Sequence, residues 1–400
     1  MAIPTIIYCD PSIDADTGDG TLAAPYGRYG YMLAQMTFDG TNGNFLAIKQ
    51  GTNIIGSDWT LPSGTNTIDQ LSHVVWDGEN AFDPEDDPTL LTPVTFDGGN
   101  ADTPIFDHWG GNNHQKTWIN WRWFNFTNCG AAALVECYNQ MHFLQCGFYD
   151  NSGGGVLAVG SGNHNVMGCF FSNVGGSYVA SFTHGHFIGN YVYASDAGST
   201  HAFRIGGCGS ALHNVFDING TSAIYASGAT YQKLIANNTI VQRAKGTIRD
   251  GVWFTTSIGA STTTILNNVF IGQEHALNGW IGTYDVPTML ANSFYDCKDV
   301  MYGMDAIHFG NVPAIGHSDN EIVESDPIKR TGSRPMGLTS MSDRFAYYQP
   351  NDIGRMVSGG FPFGSGQHRG AVPPAAGGGD TMAAYNRGRI DALRQLGTLR

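Results

Sequence analysis

Basic side chains are scarce in this 400-residue sequence: 20 lysines and arginines face 34 aspartates and glutamates, a formal charge of -14. A general nucleic-acid binder is excluded on that balance, because neutralising phosphates requires a basic face. No uninterrupted apolar run reaches the 18 residues that mark a membrane-spanning helix, so membrane insertion is not expected. The opening MAIPTIIYCDPS has no basic n-region and its apolar stretch is broken at Pro4, which is not the pattern of a secretory signal. Synthesis in the cytoplasm is expected, with any exterior location reached by another route. The seven cysteines (Cys9, Cys129, Cys137, Cys146, Cys169, Cys208 and Cys297) are odd in number and include no C-x-x-C. Neither a zinc framework nor a redox pair is indicated, and buried free thiols are expected.

Charged residues of both signs make up only 14% of the chain, whereas 42% is hydrophobic and 54 residues are glycine. The helix formers Lys, Glu and Arg are scarce, while Asn, Thr, Val, Ile and aromatic residues abound. Such a composition favours strands joined by tight turns over helices or disorder.

One phrase recurs: LHNVF, LIANNTIV, ILNNVF and FIGNYVY each set an asparagine between short apolar runs. Aligned on the residue before the second apolar run, the repeats fall at Phe124, Gly147, Cys169, Asn190, Asn214, Asn238, Asn268 and Asn292. Their spacings are 23, 22, 21, 24, 24, 30 and 24. A period in the low twenties means one supersecondary unit stacked on its neighbours. The leucine spacing of leucine-rich repeats is absent, and runs of β-branched and aromatic residues fit a parallel β-solenoid with about three short strands per coil. Asparagine suits a corner because it tolerates the left-handed conformation and its amide bonds to backbone groups. Stacked along the axis, Asn190, Asn214, Asn238, Asn268 and Asn292 are expected to form a buried hydrogen-bonded ladder.

These asparagine-bearing repeats, together with the segment YCDPSIDADTGDGTLAAPYGRYGYMLAQM, resemble the right-handed parallel β-helix of the pectate-lyase-like superfamily over about residues 5–320. The resemblance implies an all-β fold with an N-terminal capping segment (1–43) that includes a helix, a β-helix (44–320) and an irregular C-terminal cap (321–370). A Pro/Ala/Gly linker and a tail (371–400) follow, in which Met382, Tyr385, Ile390, Leu393 and Leu396 approximate a helical stripe. Arg387, Arg389, Arg394 and Arg400 face a single Asp391 in the last fourteen residues, a basic amphipathic segment expected either to fold back or to dock on a neighbouring subunit.

In the enzymes of that superfamily the groove lies along the strand after the long loop. Strand alternation turns Glu136, Arg204, Tyr225 and Trp253 outward there and Phe203 and Ile205 inward. A carboxylate, a guanidinium and two aromatic rings make a glycan platform. The longest interval, between Asn238 and Asn268, contains Arg243, Lys245, Arg249 and Asp250, a concentration of cations that would suit an anion. Arg204 with Lys245 or Arg249 would stabilise a lyase intermediate, and Asp196, Asp217, Asp250 and Glu274 are the carboxylates a hydrolase would draw on. Asp14, Asp16 and Asp19 resemble part of a calcium loop without its closing glutamate, and FDPEDDP is a second acidic run. His184, His186 and His201 lie close enough in sequence to test as metal ligands. No organic cofactor is indicated.

Because the superfamily hosts unrelated activities, two functions follow as expectations. The first is a structural or receptor-binding subunit on a virion exterior, similar to phage spikes, assembled as a homotrimer or through its basic tail and binding a surface glycan. The second is a polysaccharide lyase or glycoside hydrolase with its groove around Arg204, Tyr225 and Trp253.

Overall fold

Short runs of β-branched and aromatic residues, many of them closed by glycine, asparagine or aspartate, build strands of three to six residues through most of this chain. In the computed structural model these strands stack in parallel into a β-solenoid with little helix. The structure describes residues 5–36, 44–59, 69–79, 91–108, 117–130, 132–137, 140–194, 201–228, 232–243, 249–255, 263–283, 287–304, 320–340, 343–353, 356 and 369–371. The tail beyond Ala371 and the acidic run FDPEDDP lie outside the described residues.

Each coil contributes to three ladders. The first begins with Thr5–Cys9 on Asn44–Lys49 and continues to Thr288–Leu290. The second is an 11-stranded sheet from Asn53–Ile55 to Glu321–Ile322. The third runs from Phe106–His108 to Asp299–Met304. Two long strands, Val156–Met167 and Tyr178–Ile188, belong to both the third and the first ladder, with a register shift between Ala158 and Asn163, and so join these two into one 18-stranded sheet. Inward-facing residues stack coil upon coil. Phe126, Phe148 and Phe171 form one ring column, with centroids 5.1 and 4.7 Å apart, and Phe187 lies on Phe203 at 4.5 Å.

The corner between the first and second ladders is held by side-chain amides. Asn190, Asn214, Asn238, Asn268 and Asn292 each donate Nδ2–H to the Oδ1 of the next asparagine at 2.9–3.1 Å. The same Oδ1 accepts the preceding asparagine's backbone N–H at 2.9–3.0 Å. The second Nδ2 proton goes to a main-chain carbonyl, Val166 O in the case of Asn190 and Ala211 O in the case of Asn238. Asn320, which the repeat alignment omits, is the last member and accepts from Asn292.

Two details differ from the sequence reading. The left-handed residue is the one before each ladder asparagine: Gly189, His213, Asn237, Asn267 and Ala291 all have φ between 53° and 62°. The asparagine itself is free of that strain and is used for its amide. At the second repeat the residue in register with Cys169 is Cys146, since Gly147 pairs with Phe170. Its thiol donates to Trp121 O and Leu144 O, while Cys169 Sγ accepts the Cys146 N–H at 3.3 Å. Two cysteines therefore continue the amide ladder with weaker groups.

At the N-terminus the helix Tyr29–Gln35 buries Tyr29 and Met32. Tyr29 sets its ring against Phe96 and Trp59 and its hydroxyl 2.9 Å from His73 Nε2. Solenoid pairing already starts at Thr5, inside the segment expected to be a cap. The described C-terminal residues lie along the flank of the second ladder, not only across the last coil. Leu338 N–H reaches Tyr149 Oη at 2.9 Å, many coils back. Tyr348 donates to the fully buried Asp217 at 2.5 Å, and Arg243 and Arg334 pair with the same carboxylate at 2.8 and 3.3 Å. Farther on, Arg369 is tied to Asn292 O, Ser293 Oγ and Glu321 Oε1, Gly370 N–H to Asn267 O, and Ala371 N–H to Thr239 Oγ1. The chain thus crosses the second ladder back towards the middle of the solenoid.

Asn238→Ala removes the acceptor of two buried N–H groups and the donor to two buried oxygens. It should lower unfolding free energy in urea by about 3 kcal/mol or more, because unsatisfied buried groups cost about 1–3 kcal/mol each. Asn320→Ala, at the partly exposed end, should cost less than half as much; equal losses at the two positions would contradict a ladder sustained by its interior.

Candidate functional site

On the third ladder, strand alternation turns one residue per coil outward. Register places Asp107 beside Glu136, Glu136 beside Leu157, and Leu157 beside Ser181. From Ser181 the row passes through Arg204, Tyr225, Trp253, Asn278 and Tyr302. Neighbours in such a row are about 4.8 Å apart. Beneath this row the strand starts form another, Tyr178, His201 and Ser222 followed by Asp250, His275 and Asp299. Between the two rows sit small residues, Ala202, Ala223, Gly251 and Ala276. A Cβ on Gly251 would lie 2.5 Å from Ala276 O and 2.6 Å from the Phe270 ring, so a larger side chain there would push the strand off its core.

The two rows meet in a ring cluster. His201 stacks on Tyr225 with centroids 4.5 Å apart and lies 4.9 Å from Trp253; Tyr225 and Trp253 are 5.4 Å apart, edge to face. Tyr178 extends the stack at 5.7 Å from His201, with the Arg204 guanidinium 5.5 Å over its ring. Arg204 is steadied by Nε–H donation to Ser227 Oγ at 3.2 Å.

Next along the axis is a polar group. Asp250 Oδ2 accepts from Asn278 Nδ2 at 3.1 Å and meets Ser222 Oγ at 3.5 Å. His275 Nδ1 is 3.1 Å from Asp299 Oδ2, and its ring stacks on Tyr302 at 4.2 Å. Asp250 is 3% exposed and His201 6%. Burial pushes the Asp250 carboxyl above the usual range despite its hydrogen bonds, and pushes His201 down to about 4. Asp250 Oδ1 and His201 Nδ1 are both buried without a hydrogen-bond partner among the described residues.

The expected site residues therefore divide. Arg204, Tyr225 and Trp253 are consecutive in one row, and Asp250 stands beside them. Glu136 shares the row but lies three coils from Arg204, next to Asp107, and its carboxyl is raised by burial and by that neighbour's charge. Arg243 is elsewhere: it pairs with Asp217 on the second ladder and sits 4.3 Å over the Tyr193 ring. Lys245 and Asp196 lie outside the described residues. Arg249 leads directly into Asp250, and its guanidinium is the group that a Cβ on Gly220 would meet at 3.4 Å. Glu274 is paired with Lys298 at 3.0 Å. His186 bonds Ser210 on the first ladder while His201 faces the third, so the three histidines do not converge.

At Asp14, Asp16 and Asp19 the donor set does not fit calcium. Asp14 and Asp16 pair with Arg28 at 2.9 and 3.5 Å, Asp19 accepts from Thr21, and among the described residues no group of three or more His, Cys, Asp or Glu side chains could hold a metal ion. The sequence reading missed Tyr178, His275, Asn278, Asp299 and Tyr302. Carrying the alternation forward into HALNGW and DVMYGM would have found Asn278 and Tyr302. The lower row has no such signal, because Ala202 and Phe203 are both buried and break the alternation.

No protein-family model and no curated protein matches the chain. Among solved structures it is similar to one described as the crystal structure of pectate lyase Pel9A, with a TM-score of 0.54 over 94% of this chain and 98% of that one, at 14% sequence identity. That likeness concerns the fold.

Burial lowers His201 and His142 to about 4 and His164 to about 3, against an ordinary value of 6.5. The unfolded chain takes up protons at these positions near pH 6.5 while the folded one does not, so stability is full above that pH and falls as pH drops towards 4. Urea unfolding at pH 7 and pH 4.5 should show this loss, and His201→Gln should reduce it; a flat profile would contradict the buried neutral histidines.

Proposed function

We propose that this β-solenoid recognises polysaccharide along the outward surface of its third ladder. One observation carries the reading: the partly exposed rings of Tyr178, Tyr225 and Trp253 pack around the buried His201 in one continuous cluster bordered by the Arg204 guanidinium. Aromatic rings meet the apolar faces of sugars while polar tips and charged edges meet their hydroxyls. An extended ligand lying parallel to the solenoid axis would meet a new side chain every 4.8 Å or so, which is how a regular coil addresses a regular polymer. The likeness in fold to a pectate lyase supports a carbohydrate ligand without specifying it.

The expected role as a virion-exterior subunit, trimeric or held by its basic tail, is part of the same proposal, since a spike is a glycan-binding body with a docking segment. What supports it is the contrast between an acidic body and a basic terminus, and the anchoring of residues 369–371 on the second ladder. Light scattering after size exclusion should give an oligomer for the full chain and a monomer for a chain ending at Ala371. A monomer in both would remove self-assembly through the tail.

Affinity electrophoresis through gels containing neutral glucans, xylan, mannan, bacterial O-polysaccharide or polygalacturonate tests the glycan reading. The protein should be retarded by at least one, and Trp253→Ala should weaken that retardation at least about tenfold, equivalent to about 1.4 kcal/mol. Mobility unaffected by every polysaccharide would sink the reading.

A further inference from the structure

We propose that the polar group adjoining the ring platform is a catalytic site for hydrolysis of a neutral glycan with inversion, Asp250 acting as the acid and Asp299 as the base. This rests on the glycan reading of the same surface. Three consecutive coils present Asp250, His275 and Asp299 in one column. Two coil steps separate the carboxyl-bearing residues, about 9.6 Å at the backbone. Inverting glycosidases hold their carboxyl groups about 6.5–9.5 Å apart to admit a water, and retaining ones about 5–5.5 Å; a separation of two coil steps lies at the upper limit of the wider arrangement and well beyond the narrower one.

The surroundings give the two carboxyl groups different tasks. Asp250 is buried, receives Asn278 and Ser222 on Oδ2, and has its Oδ1 enclosed and without a partner among the described residues, so a proton held there is shielded from solvent and must turn towards the groove to reach a glycosidic oxygen. Burial favours keeping that proton. Asp299 has a side chain 40% exposed, within reach of water, and its Oδ2 lies 3.1 Å from His275 Nδ1. Tyr302 stacks on His275 and holds that ring beside the carboxylate.

The step balances. Asp250 donates its proton to the glycosidic oxygen, and the bond from that oxygen to the anomeric carbon breaks with its electron pair. A water gives its proton to Asp299, and its oxygen bonds to the anomeric carbon from the opposite side. The products are two hydroxyl-terminated fragments, and exchange with solvent returns the proton from Asp299 to Asp250.

With Asp250 holding its proton, the described residues of the two rows bear Asp107, Glu136 and Asp299 against the cation Arg204. A polyuronate laid along them would meet more like charge than opposite charge, so a neutral polymer is the favoured class.

The test uses the full chain and whichever polysaccharide retards it. Wild type should release reducing ends from a neutral one, and proton NMR at early times should show the new end in the anomeric configuration opposite to the bond cleaved. Asp250→Asn and Asp299→Asn should each lower release about 100-fold or more while remaining folded and retarded. Four outcomes would overturn the proposal: retardation without reducing ends, retention of configuration, products absorbing as unsaturated uronates, or undiminished release by either folded variant. Absence of retardation by any polysaccharide would instead remove the glycan reading on which the proposal rests.

Discussion

The corner amide is the interaction on which the rest of this molecule depends. A parallel coil must turn sharply while its backbone stays inside the protein, and at that turn an N–H and a carbonyl lose their ladder partners. Buried groups of this kind are costly when unpaired. From Asn190 to Asn320 one side chain supplies the missing acceptor to the coil before it and the missing donor to a carbonyl, with the remaining bond linking it to its own counterpart. The division of labour is clean: the preceding residue adopts the left-handed conformation and the asparagine satisfies the backbone. Where Cys146 and Cys169 replace it, the core turns aromatic, and the stack Phe126–Phe148–Phe171 strengthens the packing where the hydrogen bonds are weaker.

With the corner fixed, coil length can vary without disturbing register. The interval of 30 residues between Asn238 and Asn268 leaves Thr239 opposite Val269 and Tyr225 opposite Trp253. Variation is absorbed in the loops, and residues 21 to 28 positions apart in sequence become neighbours in a row. That constancy turns isolated side chains into the ring platform and sets the spacing of Asp250, His275 and Asp299.

The three faces are used differently. The second ladder is covered by the chain's own C-terminal part, whose attachment is a buried carboxylate, Asp217, satisfied by Tyr348, Arg243 and Arg334. A buried ion pair of this kind contributes little net stability but is expensive to break, about 3–5 kcal/mol for loss of one partner. It serves to hold the flank in one arrangement. The third ladder keeps its outward row partly open to solvent, and beneath that row Asp250 Oδ1 and His201 Nδ1 are enclosed without a hydrogen-bond partner among the described residues.

The sequence by itself determined the solenoid, its period, the ladder from Asn190 to Asn292 and the outward placement of Arg204, Tyr225 and Trp253. All of these follow from local rules: alternation at period two, corner chemistry, and repetition at a fixed interval. It could not show that Cys146, not Gly147, keeps the register, that Arg243 turns to Asp217 while Asp250 turns to His275 and Asn278, or that the described residues between 326 and 371 return along a flank. Those outcomes depend on which coil a side chain meets and on where two buried residues, Ala202 and Phe203, interrupt the alternation. The lower row with His201, His275 and Asp299 was hidden for the same reason. Burial of a charge or ring is decided by neighbours distant in the chain, and only the tertiary structure brings those neighbours together.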